Sequence, residues 1–182
     1  MNKYILIFFI YLSFISSSFS ENREIQLNRL FNELKKNNVS SSYVIEQKIW
    51  KLWIQHPTDQ NLTLKLEEGS EFVRNQKLFK AIEIFTEVIN LDPEWAEAWN
   101  KRATVFYMMG KFKQSQEDID KVLALEARHF GALAGQGLVN IQLKNYEKAI
   151  FSYQQAKEIH PSMQSPEIMI RRIEELIKQQ TI

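Results

Sequence analysis

Apolar and polar residues alternate along most of this chain with the period of a helix, and the pattern recurs. Ala81-Phe85-Val88, Ser115-Ile119-Val122 and Ala149-Tyr153-Ala156 step by four and then three residues, so each triplet forms a stripe on one helical face. The three stripes are 34 residues apart. The same interval relates Gly69, Ala103 and Gly137, then Leu78, Phe112 and Tyr146, and finally Pro93, Ala127 and Pro161. Self-similarity at a fixed interval, without insertion or deletion, predicts stacked copies of one helical unit.

Each column has a physical task in a pair of helices, A and B. The small residue at Gly69, Ala103 and Gly137 lets helix A approach helix B, and Ala81, Ser115 and Ala149 do the same from helix B. Phe72 and Phe106 follow the small residue by three positions, one turn along the same face. Leu78, Phe112 and Tyr146 are placed to plug the gap beside the turn. Asp92-Pro93 and His160-Pro161 stop helix B, because the residue before proline is pushed out of the α region. Gly110 suits the end of the second helix A.

These residues resemble the tetratricopeptide repeat (TPR). The best matches are Trp99 to Phe112 (Trp-x3-Ala-x2-Phe, then Gly-Lys-Phe) and Gly137 to Pro161 (Gly, then Tyr-x2-Ala-x3-Tyr-x2-Ala, then Pro). The resemblance covers residues 62–95, 96–129 and 130–161. It implies an all-α fold, a right-handed TPR superhelix (α-solenoid) of three full repeats. Three positions depart from the pattern: Lys65 and Asn140 replace large apolar residues of helix A, and Ala127 replaces a closing proline. The chain also looks like small exported TPR proteins of alphaproteobacteria, through Ile-Trp-x-x-Trp, Trp-Asn-Lys-Arg-Ala-Thr and Arg-His-Phe-Gly-Ala. That likeness implies a location and an architecture but no activity.

A solenoid leaves an apolar face at each end unless something covers it. Residues 162–182 supply a C-terminal capping helix from Pro166 to Gln179, with Ser165 as cap, Pro166 in the first turn and Glu167 favouring the dipole. Ile170, Ile173 and Ile177 form its stripe, beside Met169 and Leu176. Residues 21–61 supply an N-terminal helical pair, 24–36 and 42–55, with Ser40 to Ser42 as breaker and 21–23 disordered. Ile45, Ile49 and Leu52 lie 36 residues before Ala81, Phe85 and Val88, so the pair reads as a degenerate fourth repeat with a two-residue insertion.

The first twenty residues read as a signal peptide. Lys3 begins it, Tyr4 to Ile15 is an apolar core, and Ser18-Phe19-Ser20 has the form signal peptidase accepts, with cleavage after Ser20. The alternative is an uncleaved anchor, for which the apolar run is short. The expected location is periplasmic or secreted, with no stable membrane insertion after cleavage. Asn38-Val39-Ser40 and Asn61-Leu62-Thr63 fit the N-glycosylation pattern, which matters only in a eukaryotic secretory pathway.

Composition removes classes of chemistry. Without the first twenty residues the chain has 22 basic and 22 acidic groups, and so lacks the positive charge that draws proteins onto nucleic acid. No cysteine is present, which excludes disulfides, Cys zinc sites and thiol nucleophiles. His56 and His160 precede prolines at helix ends, and His129 sits at a repeat junction with Glu126 three residues away, a weak ligand spacing. Glu67-Glu68 and Glu174-Glu175 are adjacent on helices and point apart. No catalytic, metal or cofactor site is expected. Trp50 with Trp53, and Trp95 with Trp99, read as core filling between helices, with Trp95 the most open to a ligand.

What remains is the groove that the resemblance implies, lined by the A helices on the concave surface. By the repeat register, its inward positions are Leu66, Ser70, Val73 and Arg74, then Asn100, Thr104, Tyr107 and Met108, then Ala134, Leu138, Ile141 and Gln142. The peptide-binding candidates are Ser70, Arg74, Asn100, Thr104, Tyr107, Met108, Leu138 and Gln142. The carboxylate clamp that some TPR proteins use for chaperone tails needs Lys and Asn where Leu66 and Ser70 stand, so that binding mode is not expected. Lys101 and Arg102 with Arg128 and His129 make either a local basic spot or ordinary salt-bridged charges. The expectation is a non-catalytic exported module that holds a peptide segment or helix of an envelope partner. A self-associating structural role, driven by exposed caps, is the alternative.

Overall fold

The computed structural model describes residues 22–36 and 39–180, and among these all regular structure is helical. Helix α1 covers residues 22–36. It is followed by α2 (Val39–Ile54), α3 (Gln60–Arg74), α4 (Leu78–Leu91), α5 (Ala96–Met108), α6 (Phe112–Leu125), α7 (Phe130–Gln142), α8 (Tyr146–Ile159) and α9 (Ser165–Gln180). The apolar segment at residues 1–20, read from the sequence as a signal peptide, lies outside the described residues. No described helix is long and apolar enough to cross a membrane.

Helices α3/α4, α5/α6 and α7/α8 form three equivalent pairs, each closed by a three-residue turn and joined to the next by four residues. The small residue of helix A is the socket for an aromatic ring of helix B. A methyl group on Gly69 would fall 2.4 Å from Phe85, and one on Gly137 would fall 2.6 Å from Tyr153. Both rings are buried, and burial of a ring that size contributes roughly 2–3 kcal/mol. In the middle pair Ile119 takes the ring's place and Ala103 fits against it, while Ser115 Oγ donates to the Ala103 carbonyl at 2.8 Å.

The three A helices also end alike. Gln76, Gly110 and Lys144 adopt left-handed φ values of 56°, 72° and 58°. The next N–H then reaches back five residues: Lys77 to Phe72, Lys111 to Phe106 and Asn145 to Asn140, each at 2.8 Å. This is Schellman closure, for which glycine is the unstrained residue. The B helices leave the helical path at Asp92, Glu126 and His160, and Ala127 does so without proline's help. The other two departures are also accommodated. Lys65 pairs with Glu87, and buried Asn140 donates to Gln116 Oε1 (3.0 Å) and to the Gln136 carbonyl (2.9 Å). At the far end, Met169, Ile170, Ile173 and Ile177 of α9 cover Ala149 and Tyr153, while Leu176 stays exposed.

The N-terminal pair departs from expectation. A preceding repeat would stack α2 on α3 alone. Instead Leu27, Phe31, Leu34, Ile45, Ile49 and Trp53 share one core with Phe130 of α7, closed by Ile159 at the end of α8 and Met163 in the link that follows. The pair therefore lies along the junctions of the solenoid and does not extend it. The five-residue link 55–59 and two tryptophans, where a stacked helix would carry small residues, explain the change of course. Ser40 to Ser42 lie in the first turn of α2 and do not break it. Asn22 and Arg23 are helical, and Arg23 Nη2 donates to the Leu52 carbonyl at 2.8 Å.

The repeated left-handed turn makes a stability prediction. Lys144→Gly should stabilise the chain by about 0.5–1 kcal/mol, because the strain of a left-handed side chain exceeds glycine's extra chain entropy. Gly110→Ala should destabilise it by about 1 kcal/mol. Urea denaturation of both variants reads the two signs, and like signs would refute the account.

Candidate functional site

The concave side is built from the face of each A helix that does not pack against its own helix B. On α5 this face carries Glu97, Asn100, Thr104 and Tyr107, and on α7 it carries Gly131, Gly135 and Leu138. Its first turn is covered by α2 and its later turns are open. Where α2 covers it, the Trp53 ring lies flat on His129, with centroids 4.0 Å apart and planes at 8°. Trp50 meets His129 and Phe130 edge-on. It also occupies the space beside Gly131, where an added methyl group would lie 2.5 Å from the indole.

Beneath these rings sits a buried charge. Glu97 and His129 side chains are both fully inaccessible, and His129 Nε2 donates to Glu97 Oε2 at 3.1 Å. His129 Nδ1 accepts the Ala132 N–H at 3.0 Å, which caps α7 and leaves Nε2 as the donor. Asn100 Nδ2 also donates to Glu97 Oε2, at 3.0 Å, and Lys101 Nζ lies 3.2 Å from Glu97 Oε1. Burial alone would push the Glu97 carboxyl up. The His129 hydrogen bond and the Lys101 charge outweigh it and hold the group below the usual carboxylate range.

The other two histidines repeat the device. His56 Nδ1 accepts the Asp59 N–H at 2.9 Å, and Nε2 donates to Asp92 Oδ2 at 2.7 Å. His160 Nε2 donates to Glu46 Oε2 of α2 at 3.2 Å. Among the described residues no three His, Asp or Glu side chains are grouped to hold a metal ion.

Beyond the covered turn, a cavity of about 90 Å³ opens between α5 and α7. Asn100, Thr104, Tyr107 and Leu138 line it, over a floor of Ala103, Ile119 and Gly135. Four of the eight residues expected to line a groove thus meet at one place. Thr104 Oγ1 is tied to the Asn100 carbonyl at 3.0 Å, and the Tyr107 ring tilts against Phe112. The other four stand apart from this cavity: Ser70 bonds to the Leu66 carbonyl at 2.9 Å, while Arg74, Met108 and Gln142 are exposed.

One reading from the sequence needs correction, and two open alternatives resolve to the plainer one. Leu66 is 1% exposed and belongs to the core, not the groove. Trp95 is 3% exposed and donates to the Trp53 carbonyl at 2.9 Å, so it presents no open aromatic face. The basic spot does not form. Arg102 is held bidentately by Asp118 at 2.8 Å and 2.8 Å, Arg128 by Glu126 and Glu24, and Lys101 by Glu97. Sequence reasoning missed Glu97 and Glu46 as histidine partners, since those contacts span 32 and 114 residues.

The tetratricopeptide-repeat family model matches residues 131–163. A TPR repeat-containing protein of Rhizobium etli is 26% identical over 82% of this chain and 74% of its own length. The first TPR of Spaghetti, bound to the HSP90 peptide SRMEEVD, superposes with a TM-score of 0.63 at 22% identity, over 65% of this chain and 94% of that one. The chain is built of tetratricopeptide repeats. Hsp70-Hsp90 organizing protein 1 of Glycine max is 29% identical over 61% of this chain, which spans 19% of that protein's length. In this chain α2 is seated across the first turn of the concave face.

The depressed Glu97 carboxyl makes a prediction about acid. A carboxyl held below its unfolded value contributes its full stability above the ordinary carboxylate range and loses it as the pH falls below. Glu97→Gln should cost about 3 kcal/mol at neutral pH, by leaving the buried His129 and the part-exposed Lys101 without their carboxylate. It should also flatten the decline of stability between about pH 5 and 3. Denaturant titrations at several pH values test this, and parallel wild-type and variant profiles would exclude Glu97 as the acid-sensitive group.

Proposed function

We propose that this chain is an exported, non-catalytic protein-interaction module that holds a short segment of an envelope partner on the open part of its concave face. The observation that carries the reading is the cavity between α5 and α7, which brings Asn100, Thr104, Tyr107 and Leu138 together with no unpaired charge among them. A peptide seated there would meet amide, hydroxyl and apolar groups, which suit backbone hydrogen bonding and one inserted apolar side chain. The peptide-bound state of the Spaghetti domain supports peptide binding as the use of this fold. That peptide carries Glu, Glu and Asp near its end. Here Lys101, Arg102 and Arg128 are consumed by Glu97, Asp118 and Glu126, and Leu66 and Ser70 offer no cation. The segment seated in the cavity itself therefore meets no free cation, while Arg74, exposed on α3, stands apart from it. Export rests on the leader at residues 1–20, with its single charge, apolar run and Ser-Phe-Ser ending.

A photo-crosslinking residue placed at Thr104 tests the reading in periplasmic extract. A discrete partner should be captured, and Asn100→Ala/Tyr107→Ala, made in the same background, should lose at least about tenfold of it. Equal capture by both proteins would remove the concave cavity from the binding site.

A further inference from the structure

The near-zero net charge of the chain conceals a separation. Residues 22–54, the α1/α2 pair, carry six basic and three acidic side chains, whereas residues 55–182 carry sixteen basic and eighteen acidic ones. Two of the pair's three acids are turned toward the solenoid, Glu24 to Arg128 and Glu46 to His160. Its outer side is therefore basic. Along that side, between the two helices, runs an open trough of about 460 Å³ lined by Gln26, Arg29, Leu30, Lys48, Lys51 and Leu52, among others.

The chemistry of this trough differs from that of the concave cavity. Leu30 and Leu52 are half-buried and form an apolar floor. Lys48 and Lys51 stand one turn apart on one wall, are exposed, and have no ion-pair partner among the described residues. Arg29 faces them and is tied to Glu33 through Nε alone, at 2.9 Å, in a pair that is exposed and contributes little. Nothing on the inner side needs these cations, because α2 docks through Trp50, Trp53 and Glu46. We propose that the trough between α1 and α2 is a second docking surface, for an acidic segment of a partner protein. Carboxylates of that segment pair with Lys48, Lys51 and Arg29, and an interspersed apolar side chain rests on Leu30 and Leu52. Charge complementarity selects the occupant: the wall offers three cations against the single carboxylate of Glu33.

The test uses the leaderless chain and a fluorescein-labelled acidic probe peptide, Glu-Asp-Leu-Glu-Glu-Leu-Asp-Glu, followed by anisotropy. Wild type should bind, with affinity falling about tenfold or more as salt is raised past physiological strength. Lys48→Glu/Lys51→Glu should lose binding by at least about tenfold with an unchanged thermal transition, since both side chains are exposed. Asn100→Ala/Tyr107→Ala should bind the probe as wild type does, which separates this surface from the concave cavity. Undiminished binding by the charge-reversed chain, or equal binding of a probe with Gln and Asn replacing its acids, would overturn the proposal. So would vesicles of anionic lipid being captured where the peptide is not, or a dimer that charge reversal dissolves while no probe binds. The first of these assigns the basic face to membrane and the second to another copy of this chain.

Discussion

Trp53 lying flat on His129 is the joint at which three parts of this molecule meet. The indole belongs to α2, the imidazole caps α7, and the imidazole's second nitrogen holds Glu97 of α5. Stacking at this distance adds about 0.5–1.5 kcal/mol beyond the area the rings bury. More important is that His129 cannot turn without giving up either the helix cap or the partner of a fully buried carboxylate. An unpaired carboxylate in that position would cost several kcal/mol, so the ring is fixed from both sides. Trp53 is fixed in turn, and with it the course of α2 across the repeats.

That course decides what the concave face can do. A tetratricopeptide solenoid without such an occupant presents all turns of its A helices. Here Glu97 and Gly131 lie under α2, while Asn100, Thr104 and Leu138, one or two turns further along, remain accessible. The histidine–carboxylate pairs at His56, His129 and His160 mark the three junctions along which the N-terminal pair is laid. The first two tie successive junctions of the solenoid together and the third ties its last junction to α2, while ring-in-socket packing at Gly69 and Gly137 holds each pair closed. A groove of fixed pitch binds without first being ordered, which spares part of the cost of association.

The repeat was legible because it is local and periodic. Gly69 with Phe85, and Gly137 with Tyr153, lie sixteen residues apart, and a fixed interval of 34 exposes both contacts at once. The left-handed turns at Gln76 and Lys144 were legible only by analogy with Gly110, since those residues carry no signal of their own. The placement of the N-terminal pair was not legible. Its 36-residue offset invites reading as a further repeat, and the contacts that contradict this, Trp50 with Gly131 and Glu46 with His160, join positions about 80 and 114 residues apart. The same limit applied to the site. The register placed Asn100, Thr104, Tyr107 and Leu138 on the inner face, but it placed Leu66 there too, because a periodic rule does not see which positions a neighbouring helix buries.

The charge pattern follows from the same docking. A pair of helices that seats its apolar side on a solenoid must turn the other side outward, and what it turns outward here is Arg29, Lys48 and Lys51. Had the pair stacked as a fourth repeat, that surface would have continued the outer face of α3 and α4. Because it crosses the junctions, it stands apart, with a basic trough on one side and tryptophans on the other. The chain thus separates an uncharged recess, lined by Asn100, Thr104, Tyr107 and Leu138, from a basic one, where Lys48 and Lys51 have no ion-pair partner among the described residues. If both proposals hold, two recesses of different chemistry on one frame hold two different segments. The near-neutrality of the whole chain then reflects two segments of opposite net charge, not an absence of electrostatic preference.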